Sequence, residues 1–171
     1  MTGEVENKSP APNAVIELLK ASELSAIQLV SSEFYIRVPA EQLNSDRVEI
    51  GATYDFSSAI QAQEEKKPRE IFCFLTTNLI AKIKESDPLF KTLENGQAFG
   101  GVATFVVRYT LNSDLAVAQN TLDLLARNQA FFIAYPYIRH FFDQQFSFMG
   151  IKGVTLPLLR TELIKPTENK K

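Results

Sequence analysis

The sequence predicts an α+β fold in which four strands come first and helices follow. Between Ala26 and Leu111, four segments alternate apolar and polar side chains with the two-residue period of a strand. After Ser113, apolar residues recur at the three- and four-residue spacing of a helix. The third observation is an aromatic block, Phe131–Phe148, which holds eight of the chain's 18 aromatic residues.

Size and composition indicate one soluble globular domain. The 171 residues are predicted to form a single domain over residues 14–165, between a flexible N-terminal tail (1–13) and a polar C-terminal tail (166–171). A net charge of −2 gives no reason to expect nucleic acid. No apolar run reaches the ~20 residues that span a bilayer, so no membrane insertion is expected. The polar N-terminus is unlike a secretory signal, and we expect the protein in the cytoplasm.

A short amphipathic helix is predicted before the first strand. Asn13 belongs to the residue types that cap helices, and residues 14–24 place Val15, Leu18 and Leu19 on one face. This helix packs either on its own domain or on a partner subunit, and the sequence leaves both arrangements open.

The four strands are predicted at residues 26–38, 48–60, 71–83 and 98–111. In the first strand the apolar side chains change parity at Ser31-Ser32, which predicts a bulge or a bend. The third strand is apolar on both faces. Because a helical layer on one side covers only one face, we expect a second layer or another subunit on the other.

The helical part is predicted to begin at Ser113, with a break at Asn128-Gln129 before the aromatic block. Pro136 leaves two arrangements open. Either a main helix begins just before it, or one longer helix continues through the proline with a kink.

The end of the aromatic helix is predicted at Gly150, the residue type that most often caps a helix C-terminus. The last apolar segment, residues 154–164, is predicted to be an extended stretch that leads into a short C-terminal helix.

Helical spacing divides the aromatic block into two adjoining strips. One strip comprises Phe131, Tyr135, Ile138, Phe142 and Phe146, and the other comprises Tyr137, Phe141 and Phe148. Together they are wider than the ~100° stripe that packs on a single core. We therefore expect part of this surface to hold something apolar or to form a subunit interface.

Side chains suited to catalysis are few. His140 is the only histidine, which excludes His-rich metal sites and two-histidine mechanisms. Cys73 is the only cysteine and lies between Phe72 and Phe74, the context of an inert buried thiol. No phosphate-binding glycine motif is present. The sequence predicts no enzyme activity, no metal and no cofactor.

The segment AYPYIR (134–139) resembles the [FY]-P-Y-[AI]-R segment that begins the main helix in the SecB family of export chaperones and in the SecB-like chaperones of toxin–antitoxin systems. Leu156-Pro157-Leu158 with Leu163-Ile164 is similar to the family's segment after that helix. The resemblance implies a four-stranded antiparallel sheet with helices on one face. It also implies a homotetramer built from dimers, with apolar grooves that hold unfolded clients.

The resulting functional prediction is an ATP-independent holdase that binds apolar segments of non-native proteins, an antitoxin being one candidate client. Binding to the secretion motor SecA is doubtful, because the chain ends in Asn169-Lys170-Lys171 where family members that serve SecA use a C-terminal tail. The alternative is a module that encloses a small apolar ligand or a lipid. The candidate client-binding residues are Phe34, Ile36, Phe131, Phe132, Tyr135, Phe141, Phe142, Phe146 and Phe148.

Overall fold

A four-stranded antiparallel sheet, covered on one face by a long helix, forms most of the structure. The computed structural model describes residues 12–61 and 68–156. In chain order the elements are α1 (Pro12–Lys20), β1 (Ser22–Ile36), β2 (Val48–Ile60), β3 (Arg69–Ile83), β4 (Gln97–Leu111), α2 (Gln119–Leu124), a π-helical turn (Leu125–Ala130) and α3 (Phe131–Phe148). The predicted α+β class, with its antiparallel sheet and extra N-terminal helix, is confirmed.

The strands lie in the order β1-β4-β3-β2, and every neighbouring pair is antiparallel. Strands β2, β3 and β4 follow one another as hairpins, whereas β1 lies beside β4. The connection at residues 37–47 must therefore cross from one edge of the sheet to the other, as in a Greek key. This crossing leaves β1 and β2 as the two edge strands.

The bulge predicted in β1 is present. The pairing of β1 with β4 shifts between Leu29 and Ser31, and shifts again between Leu24 and Ala26. Because a one-residue shift exchanges the two faces of a strand, Leu29 and Phe34 lie on the same face although their parities differ. The change of parity in the sequence is thus caused by a β-bulge, which keeps the apolar side chains on one face of the sheet.

A bidentate ion pair attaches the crossing connection (residues 37–47) to the loop between β3 and β4. Arg47 donates from Nε to Asp87 Oδ2 (2.6 Å) and from a terminal nitrogen to Asp87 Oδ1 (2.9 Å). Its other terminal nitrogen donates to the Gln42 carbonyl (2.9 Å). Asp87 also accepts from the Leu89 amide at the start of a 3₁₀ turn. These bonds fix the end of the sheet where the crossing occurs.

Helix α1 is shorter than predicted. It ends at Lys20, and Ser22 and Leu24 already pair with β4 opposite Leu111 and Tyr109. The expectation that the helix continues to residue 24 is wrong, because backbone pairing with β4 takes these residues into the sheet.

Helix α2 begins five residues later than predicted, because its N-cap is Ala118 and not Ser113. The first helical residue is Gln119, and Ala118 at the N-cap has an extended backbone. Arg69 donates to the Leu115 carbonyl (3.0 Å) and holds the intervening chain along the sheet. The Leu115 carbonyl bonds to Arg69 and not to a helical amide. We infer that this tertiary hydrogen bond keeps residues 114–118 out of the helix, although their apolar spacing is helical.

The predicted break at Asn128-Gln129 is also wrong. These residues lie in the π-helical turn, where the Phe131 amide donates to the Ala126 carbonyl, and the helical path continues into α3. Pro136 lies inside α3, so of the two arrangements left open the longer helix is the observed one. A π turn widens the helix without ending it.

The end of α3 is confirmed at Gly150, which has a φ of 76°. The Gly150 amide donates to Ser147 (3.0 Å) and the Ile151 amide donates to Phe146 (2.9 Å). These are the two bonds of a Schellman motif, and they require the left-handed conformation that glycine adopts without strain.

Strand β3 has one buried face and one partly open face. Its helix-side residues from Ile71 to Ile83 are buried, whereas Phe72 and Phe74 stack on the opposite face with ring centroids 6.4 Å apart.

No helix among the described residues is long and apolar enough to cross a membrane. The charged run at residues 64–70 is predicted to be a solvated turn; residues 64–67 lie outside the described residues, whereas Arg69 and Glu70 belong to β3. Of the segment predicted at residues 154–164, the part from residue 157 onward also lies outside the described residues.

The ion pair at the crossing makes a pH-dependent contribution to stability. The hydrogen bonds from Arg47 and from the Leu89 amide hold the pKa of Asp87 below its usual range. A lowered pKa stabilises the fold above the unfolded-state value of about 3.9, and this stabilisation is lost as pH falls through the folded-state pKa. We expect the melting temperature to drop less on acidification in Asp87→Asn than in the wild type. Equal drops in the two melting curves would contradict this prediction.

Candidate functional site

The two strips of the aromatic helix have opposite environments. The strip formed by Phe131, Tyr135, Ile138, Phe142 and Phe146 is the core-facing side of α3, with every member at most 6% exposed. On the second strip, Tyr137 is 58% and Phe148 81% exposed, while Phe141 is half-buried. The sheet covers the first strip, whereas in the second strip Phe141 packs partly against the sheet and Tyr137 and Phe148 remain exposed in the described structure.

Four phenylalanine rings connect α3 to the edge of the sheet at β1. The Phe34 ring of β1 contacts Phe141 (5.8 Å between centroids) and Phe142 (5.6 Å). Phe105 of β4 contacts Phe141 at 5.7 Å. Because Phe142 and Phe105 are buried and Phe34 and Phe141 are half-buried, this cluster is the point where the core reaches the surface.

The Gly100-Gly101 pair of β4 makes room for aromatic rings of β1. A side chain on Gly101 would overlap the Phe34 ring, and one on Gly100 would overlap the Tyr35 hydroxyl and approach the Leu79 carbonyl. Phe34 and Gly101 are direct cross-strand partners, as are Tyr35 and Gly100. Each glycine therefore lets an aromatic side chain of β1 lie close to the β4 backbone, and Gly101 leaves the space that the Phe34 ring occupies.

Exposed apolar side chains are concentrated on β1 and α3. Among the described residues, these two elements carry eight of the eleven large hydrophobic side chains that are exposed. They are Leu24, Leu29, Val30, Tyr35, Ile36, Phe132, Tyr137 and Phe148. Scattered exposed apolar residues are normal on a soluble protein, but a concentration on neighbouring elements marks a binding or assembly surface.

The register of β1 assigns part of this set to one continuous surface. Leu24, Leu29 and Ile36 are paired with Tyr109, Phe105 and Phe99, which point into the core on the helix side of the sheet. Ile27 and Phe34 lie on the same face. We call this strip of β1, together with Phe141 of α3, the β1–α3 surface. It is apolar, it adjoins the aromatic cluster, and no described helix covers it fully.

The nine candidate residues separate into two groups. Phe131, Tyr135, Phe142 and Phe146 are buried core residues, so as folded they offer no surface to a client. The remaining five, Phe34, Ile36, Phe132, Phe141 and Phe148, are exposed or half-buried. Of these five, the structure brings Phe34, Ile36 and Phe141 together on the β1–α3 surface.

The N-terminal half of α3 packs over the other edge of the sheet. Phe131 contacts Tyr54 (4.7 Å) and Phe56 (5.3 Å) of β2, and Tyr54 also contacts Tyr135. Burial and a hydrogen bond with Tyr135 raise the pKa of the Tyr54 hydroxyl. Phe132, adjacent in sequence, is 39% exposed. The helix therefore leaves aromatic side chains accessible along both edges of the sheet.

Two polar residues of α2, Gln119 and Asp123, are bonded to β2. The Ser58 hydroxyl donates to Asp123 (2.7 Å), and Gln119 bonds both, which attaches α2 to β2. Burial, with the nearby Asp123 charge, raises the pKa of the Cys73 thiol to about 12, so the thiol stays protonated at neutral pH. No group of three or more His, Cys, Asp or Glu side chains in the described ranges is arranged to hold a metal ion.

Sequence reasoning misses four members of the exposed set on β1, namely Leu24, Leu29, Val30 and Tyr35. Leu24 falls in the predicted N-terminal helix, and the other three lie in the predicted first strand without being singled out. The change of parity at Ser31-Ser32 was the available signal, because it places the apolar residues before and after the bulge on one face. Their exposure could not be predicted, since it depends on where α3 crosses the sheet.

The fold is similar to that of a solved SecB-like chaperone. The structure is that of the Mycobacterium tuberculosis SecB-like chaperone in complex with a ChAD peptide from an antitoxin. The TM-score is 0.65 at 13% sequence identity, over 86% of this chain and 97% of that chain. No protein-family model matches the sequence, and no curated protein matches it either. The likeness therefore shows a SecB-like fold.

The contrast between the two strips of α3 can be tested on stability. We expect Phe146→Ala to lower the free energy of unfolding by ~3–5 kcal/mol, because the 1%-exposed ring packs on Phe99 and Phe142. The matched variant Phe148→Ala should change it by less than ~0.5 kcal/mol, since that ring is 81% exposed. Urea unfolding measures both. A large cost at Phe148 would show that another part of the protein buries it.

Proposed function

We propose that this protein is an ATP-independent cytoplasmic holdase that binds exposed apolar segments of non-native proteins on the β1–α3 surface. The observation that carries the proposal is the concentration of exposed apolar side chains on β1 and α3. These side chains lie next to the aromatic cluster of Phe34, Phe105, Phe141 and Phe142, which extends from the core to the surface. The SecB-like fold supports the same reading, because the similar protein is a chaperone solved with a bound peptide.

Burial of apolar surface is a sufficient driving force for this activity. At roughly 25 cal/mol per Å², covering the exposed part of a few large side chains stabilises a complex without nucleotide hydrolysis. Aromatic side chains present large apolar faces to clients of different sequence. Leu29, Phe34, Ile36 and Phe141 are the proposed contact residues, with Phe132 and Phe148 as further contacts along α3.

A homotetramer built from dimers is the proposed assembly. Three described surfaces support it: the edge of β1, which pairs only with β4 in the described residues; the outer strip of α3; and the apolar outer face of β3 around Phe72 and Phe74. Packing between subunits would cover some of the apolar area and leave the remainder to clients.

Antitoxin control is the proposed physiological context, since the similar chaperone was solved with a peptide from an antitoxin. The proposed activity is non-enzymatic binding, which needs neither metal nor cofactor.

The client surface can be tested with two isoleucines of equal exposure on opposite faces of the sheet. Ile36 is 43% exposed on the helix side, and Ile80 is 42% exposed on the other side. We expect Ile36→Ser to weaken suppression of client aggregation, because it removes apolar area from the β1–α3 surface. Ile80→Ser, which costs similar apolar area elsewhere, should retain suppression. Light scattering of a thermally unfolding client measures both.

Both variants must keep the melting temperature and the native mass of the wild type for the comparison to be valid, and Leu29→Ser provides a second position on the same surface. If Ile36→Ser and Leu29→Ser both hold clients normally, clients bind elsewhere. A one-to-one complex with a small apolar molecule, without suppression of aggregation, would favour the ligand-binding alternative.

The assembly is tested by the mass of the native protein. We expect light scattering at micromolar concentration to give four times the 19.2 kDa chain mass. A monomeric mass would contradict the tetramer, and a stable dimer would show that only one of the three surfaces is used.

A further inference from the structure

Gly100 and Gly101 lie inside β4, a central strand, where glycine is locally unfavourable. A glycine in a strand interior has no side chain to pack, and it loses more conformational freedom on folding than other residues do. Strand β4 is paired on both sides, and both glycines are buried. Neither has a positive φ. The need for glycine at these two positions therefore comes from the space beside them and not from the backbone conformation.

That space is occupied by two aromatic side chains of β1. Phe34 pairs with Gly101, and Tyr35 pairs with Gly100. A Cβ atom on Gly101 would overlap two atoms of the Phe34 ring and would lie 3.0 Å from the Glu33 carbonyl oxygen. A Cβ atom on Gly100 would overlap the hydroxyl end of Tyr35. Because successive side chains of a strand point to opposite faces, the two rings lie across β4 on opposite faces of the sheet.

The Phe34 ring over Gly101 is the contact between the edge strand and the aromatic residues of α3. Its centroid lies 5.8 Å from that of Phe141 and 5.6 Å from that of Phe142. Phe105 of β4 contacts Phe141 at 5.7 Å. The half-buried Phe141 ring thus packs against one ring from β1 and one from β4. A side chain at position 101 would displace Phe34 from this arrangement, because the overlapping atoms belong to the rigid ring itself.

We propose that Gly101 is a positioning residue of the client surface, an inference that rests on the proposed holdase function. Gly101 contacts no client. It leaves the space in which Phe34 lies across the sheet, and Phe34 and Phe105 together hold Phe141 with part of its ring accessible. An ordered ring binds an apolar side chain more tightly than a mobile one, because less conformational freedom is lost on binding.

Gly100 is the matched control for Gly101. It is the adjacent residue of the same strand, and it also faces an aromatic ring, but on the other face of the sheet. There the Gln97 side-chain amide donates to the Tyr35 hydroxyl, and the Arg37 guanidinium lies 5.4 Å from the centre of the Tyr35 ring. A substitution at Gly100 therefore disturbs β4 and an aromatic neighbour without displacing Phe34.

The test measures the affinity of the full-length protein for a fluorescein-labelled peptide that is rich in leucine and phenylalanine and contains lysines for solubility. Fluorescence anisotropy gives the dissociation constant. We expect Gly101→Ala to weaken binding about fivefold or more, because Phe141 loses one of the two rings that hold it. Gly100→Ala should bind within about twofold of the wild type, since it displaces only Tyr35.

A double-mutant cycle shows whether Gly101 acts through Phe34. The substitution Phe34→Val removes the ring atoms that a side chain at position 101 would overlap, and it introduces a β-branched residue suited to a strand. We expect Phe34→Val to weaken binding. Adding Gly101→Ala to it should then change the affinity less than about twofold, because the ring on which the glycine acts is gone.

Fluorine NMR gives a direct readout of the ring position. With para-fluorophenylalanine in place of Phe34, we expect the resonance to move in Gly101→Ala and on addition of peptide to the otherwise wild-type protein. Gly100→Ala should leave it unchanged. A resonance that does not respond to Gly101→Ala would overturn the positioning role.

Wild-type or higher affinity in a folded Gly101→Ala protein, or equal losses in the two alanine variants, would also overturn the inference and leave the proposed function intact. Additive effects in the cycle would overturn it, since the glycine would then act independently of the ring. If Gly101→Ala does not fold, the inference requires that the double variant folds and that Phe34→Val binds more weakly than the wild type. The opposite of either result contradicts it.

Failure of the inference and failure of the proposed function are distinguishable in the wild-type protein. If the wild type neither binds the peptide nor suppresses client aggregation, the proposed function itself is wrong. If it suppresses aggregation without binding the peptide, suppression replaces affinity as the readout. The same variants are then expected in the same order, with Gly101→Ala impaired and Gly100→Ala near the wild type.

Discussion

One helical layer over a four-stranded sheet is the constraint on which the other features depend. The long helix packs its buried strip over the sheet, where the large, fully buried ring of Phe146 contacts the equally buried rings of Phe99 and Phe142. A single helix is too narrow to cover four strands. The outer strip of α3, the helix side of β1 and the far face of β3 therefore remain partly open, and the proposed binding and assembly surfaces are these uncovered parts.

The topology decides which strands meet solvent along their edges. Because the chain crosses from β1 to the far side of the sheet before it forms β2, the two edges belong to the first two strands. The Arg47–Asp87 ion pair attaches this crossing connection to the loop between β3 and β4. The edges differ in kind: β1 is bulged and carries large exposed side chains, whereas β2 is regular and presents its backbone.

Much of this arrangement could be predicted from local pattern. The four strands, the bulge in β1 and the cap at Gly150 each depend on a short sequence signal with one physical interpretation. The errors fell where tertiary bonds compete with local preference. Arg69 holds the Leu115 carbonyl and delays α2, and a π turn carries the helix through Asn128-Gln129 without a break. Neither the partner of Arg69 nor the width of a helical turn can be read from spacing.

The sequence by itself determined the fold class and the two strips of α3, because periodicity and residue type are local properties. Only the tertiary structure decided which strip is core and which is surface. Phe142 and Phe141 are adjacent in sequence, yet one is fully buried and the other half-buried at the β1 edge. That difference arises from the angle at which α3 crosses the sheet, and the angle depends on packing between residues that are distant in the chain.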